Sequence, residues 1–285
     1  MKVYNKPPKR IDLNAIVEFA RDTDTKRINF HYFHVNALSA ITNESPGWIN
    51  LPFNEPFESF AEEELNLDKV LFPPRRNIKT YWRRIDDTVS YEKILSMIDK
   101  YKDLVFLRDC LDLSLALTMH EYYDGNDNLR TVLGQCEYNL KYQSDNKDTT
   151  EDMNIIRKEV QKWLEQLPYY RNADYICAVP SRKNFVREII KKLNGFIFKD
   201  ISEFVSWSNK TGDIKNTTTY NEKLKMLQEW EFLINPELDL KDKTVILVDD
   251  MYKSGITMQF IAMKLKERGA KYVFGMCICK ALSNN

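Results

Sequence analysis

The spacing of apolar and polar positions changes near the middle of the chain. From residue 1 to about 125 the pattern is mainly helical, broken by long irregular stretches. Leu13 to Asp22 and Val89 to Tyr101 set apolar residues three and four apart, which predicts amphipathic helices. Leu104 to Tyr123 is apolar on most faces and predicts a buried helix. Thr42 to Arg76 carries Pro46, Pro52, Pro56, Pro73 and Pro74, which forbid one continuous helix and predict loops and short turns. The turn cluster Asp124-Gly-Asn-Asp-Asn128 places the expected boundary between a region 1–125 and a region 126–285.

Beyond that boundary short apolar runs alternate with helical spacing. Leu129 to Tyr142 and Glu151 to Leu167 predict helices, the second ended by Pro168. Asp174 to Val179 predicts a strand, Lys183 to Leu193 a helix, and Phe196 to Phe198 a short strand. A polar stretch from Ser206 to Thr219 leads to a helix from Tyr220 to Leu233. Thr244 to Val248 predicts an apolar strand, Ile256 to Arg268 a helix capped by Gly269, and Tyr272 to Cys279 a last strand. Strands and helices alternating at this spacing imply a parallel sheet covered on both faces, an α/β fold.

Composition narrows the class without choosing a function. Of 285 residues 43% are hydrophobic, with only 8 glycines and 10 prolines, which fits a globular protein rather than a disordered one. Lys plus Arg and Asp plus Glu are both 42, so no global field selects nucleic acid or an anionic membrane. The N-terminal residues lack an apolar signal core and no segment reaches the length of a membrane span, so a cytoplasmic protein with no membrane contact is expected. The 5 cysteines have no metal-type spacing and read as reduced, buried thiols.

The strongest chemistry lies where Thr244 to Val248 runs into Asp249-Asp250 and then Lys253-Ser-Gly-Ile-Thr257, with a helix starting at once. Ligands of parallel sheets bind at the carboxyl ends of strands. A glycine turn entering a helix aims backbone N–H groups inward, Ser254 and Thr257 add hydroxyls, and the helix N-terminus favours an anion. The two carboxylates suit a neutral vicinal diol, since an ionised acid accepts two hydrogen bonds. Phosphate donors beside diol acceptors describe a ribose 5-phosphate; the rival reading is a turn that binds nothing.

This block resembles the signature of type I phosphoribosyltransferases. The resemblance implies that Asp249 and Asp250 hold the ribose hydroxyls of phosphoribosyl pyrophosphate (PRPP), with catalytic weight, while Lys253, Ser254, Gly255, Ile256 and Thr257 hold its 5-phosphate. Lys253 departs from the signature, where a small or hydroxyl residue is usual. Asp174 to Ser181 resembles the strand entering the pyrophosphate loop of that family, so Ser181, Arg182 and Lys183 are candidates for the diphosphate. The polar stretch Ser208 to Thr219 is either a surface loop or the family's mobile hood, with Lys210, Lys215 or Tyr220 reaching the ligand. Within the superfamily the likeness is to the ComF-like branch, carried by Leu140-Lys-Tyr142, Asp174 to Pro180, the Lys210-Thr211 region and Asp249-Asp250-Met-Tyr. The cysteine-rich start and the Arg-Gly-Phe-Asn segment of that branch are absent.

The resemblance implies transfer of phosphoribosyl from PRPP to a nitrogen acceptor, with Mg²⁺ bound through PRPP. Two other readings stay open: a non-catalytic sensor of PRPP or a nucleotide, and an accessory protein of bacterial DNA uptake or anti-phage defence. The last is motivated by Arg75, Arg76, Lys79, Arg83 and Arg84 around Tyr81 and Trp82, a contact for nucleic acid or a protein partner through the N-terminal half. A solvated helix start is the plainer account of that stretch. Asp86-Asp87 reads as a helix cap. His31, His34 and His120 read as core or surface residues, and no metal site of the protein's own is predicted. Oligomerisation is left open.

Overall fold

A computed structural model describes residues 4, 6–21, 28–29, 47–51, 60, 81–85, 88–125, 127–143, 148–212, 217 and 219–282. By Cα proximity the chain forms two units, one of residues 1–23 with 109–285 and one of residues 24–108. The sequence boundary at 125 therefore falls inside the first unit, which also takes in the N-terminal segment. Its first helix is α1 (Leu13–Arg21), with Ile16 and Ala20 buried.

The unit of residues 24–108 contains β1 (Ile28–Asn29), β2 (Gly47–Leu51), β3 (Tyr81–Ile85), α2 (Thr88–Tyr101) and β4 (Val105–Phe106) among the described residues. β1 pairs antiparallel with β4, and β2 with β3. Phe60, Tyr101 and Phe106 are buried and their rings meet at 5.5 to 6.1 Å, a small aromatic core. Most of Thr42 to Arg76, the cap Asp86-Asp87, His31, His34, Arg75, Arg76 and Lys79 lie outside the described residues, as do the side chains of Tyr81, Trp82, Arg83 and Arg84.

The larger unit continues with β5 (Leu113–Met119), β6 (Glu121–Tyr123), β7 (Asn128–Arg130), α3 (Val132–Tyr142), α4 (Thr150–Gln166), α5 (Pro168–Arg171) and β8 (Tyr175–Ala178). It is completed by α6 (Phe185–Lys191), β9 (Lys199–Asp200), β10 (Val205–Trp207), α7 (Tyr220–Trp230), β11 (Phe232–Ile234), β12 (Thr244–Tyr252), α8 (Ile256–Glu267) and β13 (Tyr272–Lys280). Five of these strands form a parallel sheet in the order β5-β13-β12-β8-β9. β12 is central: Val245 lies between Tyr175 of β8 and Val273 of β13. Val245 to Val248 and all of β13 are buried, as expected of strands covered on both faces.

Four sequence readings are corrected. Leu104 to Tyr123 is not a buried helix but β4, a turn, β5 and β6; a parallel strand buried on both faces shows no period that tells it from a buried helix. The helix read from Leu129 starts at Val132, because Asn128–Arg130 pairs with Glu121–Tyr123 in a hairpin. Pro168 does not only end α4; it begins α5, where its missing N–H is no loss. Phe196 to Phe198 is not a strand, and the two aromatic rings stack at 4.7 Å while β9 starts at Lys199.

The N-terminal segment is fastened across the larger unit. Tyr4 donates its hydroxyl to the Asp112 carbonyl at 3.1 Å, and Tyr272 donates to the Lys6 carbonyl at 3.0 Å. The buried Asp112 carboxylate accepts from the Lys9 and Val273 N–H groups at 2.7 and 2.8 Å and pairs with Lys266 at 2.8 Å. α1 packs on α7 and α8, which carries Arg21 to the same side of the fold as the loop after β12.

Candidate functional site

β12 does not end at Val248, as the sequence reading expected, but stays extended through the acidic pair to Tyr252. Asp249 and Asp250 are half-buried, and the Asp250 N–H donates to Asp249 Oδ1 at 2.9 Å. Tyr252 is buried and donates its hydroxyl to Asp109 Oδ2 at 3.0 Å. Asp109 is itself buried and accepts from Leu111 N–H and Ser114 Oγ. This anchor fixes the end of the strand. The chain then passes Lys253, exposed, and Ser254, almost buried, to Gly255 at φ 71°, ψ 1°. Gly255 caps α8 in the left-handed region, and a Cβ there would overlap the Tyr252 ring. The free N–H groups of the first α8 turn, with Ser254 and Thr257, are what an anion needs.

A cavity of about 1270 Å³ opens at this end of the sheet. It brings together Asp249, Asp250, Lys253, Ser254, Gly255, Ile256, Thr257 and Tyr220, all singled out in the sequence. It does not bring in Ser181, Arg182, Lys183 or Lys210. Ser181 donates its hydroxyl to the Lys183 carbonyl at 2.7 Å, and Arg182 donates to the Gly212 carbonyl at 3.0 Å. Lys210 reaches the Pro180 carbonyl at 3.4 Å and still contributes its charge near Asp249. Lys215 lies outside the described residues.

Sequence reasoning missed the opposite wall of the cavity. Thr131 bonds the end of β5, its N–H donating to the His120 carbonyl and its hydroxyl to that of Met119, and so seats α3 over the acidic pair. Glu137, fully buried on α3, pairs with Lys141 at 2.6 Å, and Lys141 reaches Asp250 Oδ1 at 2.9 Å. His120 lies 3.4 Å from Glu137 and 3.5 Å from Glu121, so it is a cavity residue between two carboxyls. The Glu137–Lys141 spacing of four was a legible helical pair, but nothing in the sequence marked it as buried.

These contacts set the charge states. Burial opposes the charge on Glu137, but His120 and Lys141 outweigh it and hold the carboxyl below its usual range. Burial also opposes the charge on Lys141, and Asp250 and Glu137 outweigh that, holding it above the usual ammonium range. Burial, then the neighbouring Asp250 charge, pushes Asp249 up to about 7; burial raises Asp250 as well, against the pull of Lys141. An acid that ionises less readily folded than unfolded favours the folded state while protonated. Its contribution is full below the unfolded value of ~3.9 and is lost as pH rises toward about 7. Ligand-free protein should therefore lose thermal stability across that window relative to Asp249→Asn, followed by circular dichroism. Parallel melting curves for the two proteins across the window would show that Asp249 ionises freely.

Residues 149–284 match the family described as the phosphoribosyl transferase domain. Over that stretch the chain is similar to the phosphoribosyl transferase domain. The match spans β8, β12 and β13, the acidic pair and the whole anion loop. It begins after α3, so Arg21, His120, Glu137 and Lys141 reach the phosphoribosyl transferase cavity from residues ahead of it. Among the described residues no helix is long and apolar enough to cross a membrane.

Proposed function

We propose that this protein binds PRPP or a ribonucleotide 5-phosphate as a ComF-like phosphoribosyltransferase of the cytoplasm. The ribose lies on Asp249 and Asp250, and the 5-phosphate on the Lys253–Thr257 loop. The observation that carries this reading is the placement of two half-buried carboxyls and a left-handed glycine cap in one cavity, at the carboxyl end of the central strand. Among the described residues there is no group of three ligating side chains for a metal. Asp249 and Asp250 would supply the carboxylate oxygens for a Mg²⁺ brought by the ligand's phosphates. Bound there, the metal would neutralise phosphate charge. In transfer, the bond from ribose C1 to the diphosphate breaks as a nitrogen acceptor attacks. Positive charge builds on the sugar, and the acidic pair below it stabilises that charge.

A second reading, a sensor without transfer, is favoured by one observation. The Ser181 hydroxyl and the Arg182 guanidinium point to main-chain carbonyls rather than into the cavity. Diphosphate release from PRPP with a panel of purine and pyrimidine bases separates the two. Release that depends on the base supports transfer; tight PRPP or nucleotide binding with no release under any base supports the sensor.

A further inference from the structure

The cavity has more positive charge at its phosphate end than a monoester requires. The 5-phosphate carries about −1.5 to −2 charges, which the helix N-terminus, Ser254, Thr257 and Lys253 can answer. Arg21 and Lys223 line the same cavity in addition. Lys223 stands on the first turns of α7, and its ammonium is disfavoured by burial and by the charge of Lys253 beside it. Neither Lys223, Lys253 nor Arg21 makes an ion pair among the described residues. Arg21 and Lys253 are exposed and Lys223 is partly buried, whereas three other partly buried cations of this unit are paired: Lys141 with Asp250 at 2.9 Å, Lys266 with Asp112 at 2.8 Å, Arg187 with Glu203 at 2.5 Å. Two like charges held together without a counter-ion leave room for an anion between them.

The other end of the cavity adds a second constraint. Its volume of about 1270 Å³ exceeds the ~300–1,000 Å³ of ordinary small-molecule sites. Tyr138 and Tyr142 also wall it, their rings 5.1 Å apart and tilted by 45°, with the Arg130 guanidinium 3.9 Å over the Tyr138 ring; the remaining aromatic surface suits a flat heterocycle on ribose C1. The Ser181–Lys183 turn, which would hold a C1 diphosphate, does not line it.

We infer that the preferred ligand is a ribonucleoside 5′-di- or triphosphate, its first phosphate on the Lys253–Thr257 loop and its outer phosphates between Arg21, Lys223 and Lys253. This rests on the ribose 5-phosphate reading and extends it from the sugar to both of its substituents. Calorimetric titration at ~0.15 M salt with AMP, ADP, ATP, PRPP and inorganic tripolyphosphate, each with Mg²⁺, tests it. ATP should bind at least about tenfold tighter than AMP. The double variant Arg21→Ala/Lys223→Ala, with an unchanged circular dichroism spectrum, should lose that advantage and keep AMP affinity within about twofold. Equal binding of AMP and ATP, or PRPP binding tighter than ATP, overturns the polyphosphate inference and leaves the ribose 5-phosphate site standing. Tripolyphosphate binding as tightly as ATP, with no loss in Asp250→Ala, also overturns it, leaving a bare anion patch. Failure of all five probes removes the ribose 5-phosphate reading beneath it.

Discussion

Replacing Asp249 or Asp250 with alanine is expected to weaken binding of PRPP or AMP by about 10- to 150-fold. A hydrogen bond to an ionised group contributes about 1.5–3 kcal/mol, and about 1.4 kcal/mol is a factor of ten. The two changes should differ in kind. Asp249 accepts its neighbour's N–H and feels the Lys141 and Lys210 charges without a direct ion pair, so its removal deletes acceptors and relieves the repulsion on Asp250. Asp250 is also the partner of Lys141 at 2.9 Å, and its loss frees a cation that the fully buried Glu137 must then hold alone. Asp250→Asn keeps the shape and one acceptor, so it should fall between wild type and alanine. Isothermal titration with Mg-PRPP and with AMP measures all three. Affinities that survive both alanine changes would sink the ribose assignment.

Gly255→Val should destabilise the protein by about 2–6 kcal/mol and abolish ligand binding. A β-branched residue held in the left-handed region costs about 1–3 kcal/mol, and forcing side-chain atoms into a filled space about 1–3 more. Here the space is the ring of Tyr252, which cannot withdraw because its hydroxyl is tied to the buried Asp109. Ring displacement would leave Asp109 with Leu111 and Ser114 as its hydrogen-bond donors and would shift the loop that starts one residue later. Denaturant unfolding reads the first effect and calorimetry the second. A wild-type unfolding midpoint in Gly255→Val would mean that the loop does not pass Tyr252 as described.

How far the sequence could be read follows from how locally each feature is encoded. The acidic pair, the glycine cap and the start of the helix after it occupy nine consecutive residues, 249–257, so the anion loop was visible as one motif. β12 and β13 were visible because their apolar runs are closed by that chemistry and by Gly269. β5 was not. With Leu113 to Ala116 buried on both faces it has no alternation; the buried Asp112 just before it is satisfied by groups from distant segments, and Asp109 by Tyr252 as well as by its neighbours Leu111 and Ser114. The cavity wall opposite the loop was hidden for the same reason. Arg21, His120, Glu137 and Lys141 lie on three separate stretches, and only the folded sheet brings them near Asp250. Ser181 to Lys183 shows the converse: local sequence offered three polar groups, and the fold ties two of them to backbone carbonyls.

The fastening of residues 4–9 to Asp112, Lys266 and Tyr272 has a consequence for the order in which the molecule can form. Tyr4 and Lys9 bond Asp112, but the Lys9 and Lys6 carbonyls meet Lys266 and Tyr272 only when α8 and β13 have been made. Until then α1 has no α7 or α8 to cover, and the helix bearing Arg21 cannot take its place at the cavity. Closing contacts of such sequence separation is slow compared with local helix formation. Placing Arg21 at the cavity therefore waits on α7 and α8, and a chain folded only as far as β12 would hold the motif without that wall of the cavity.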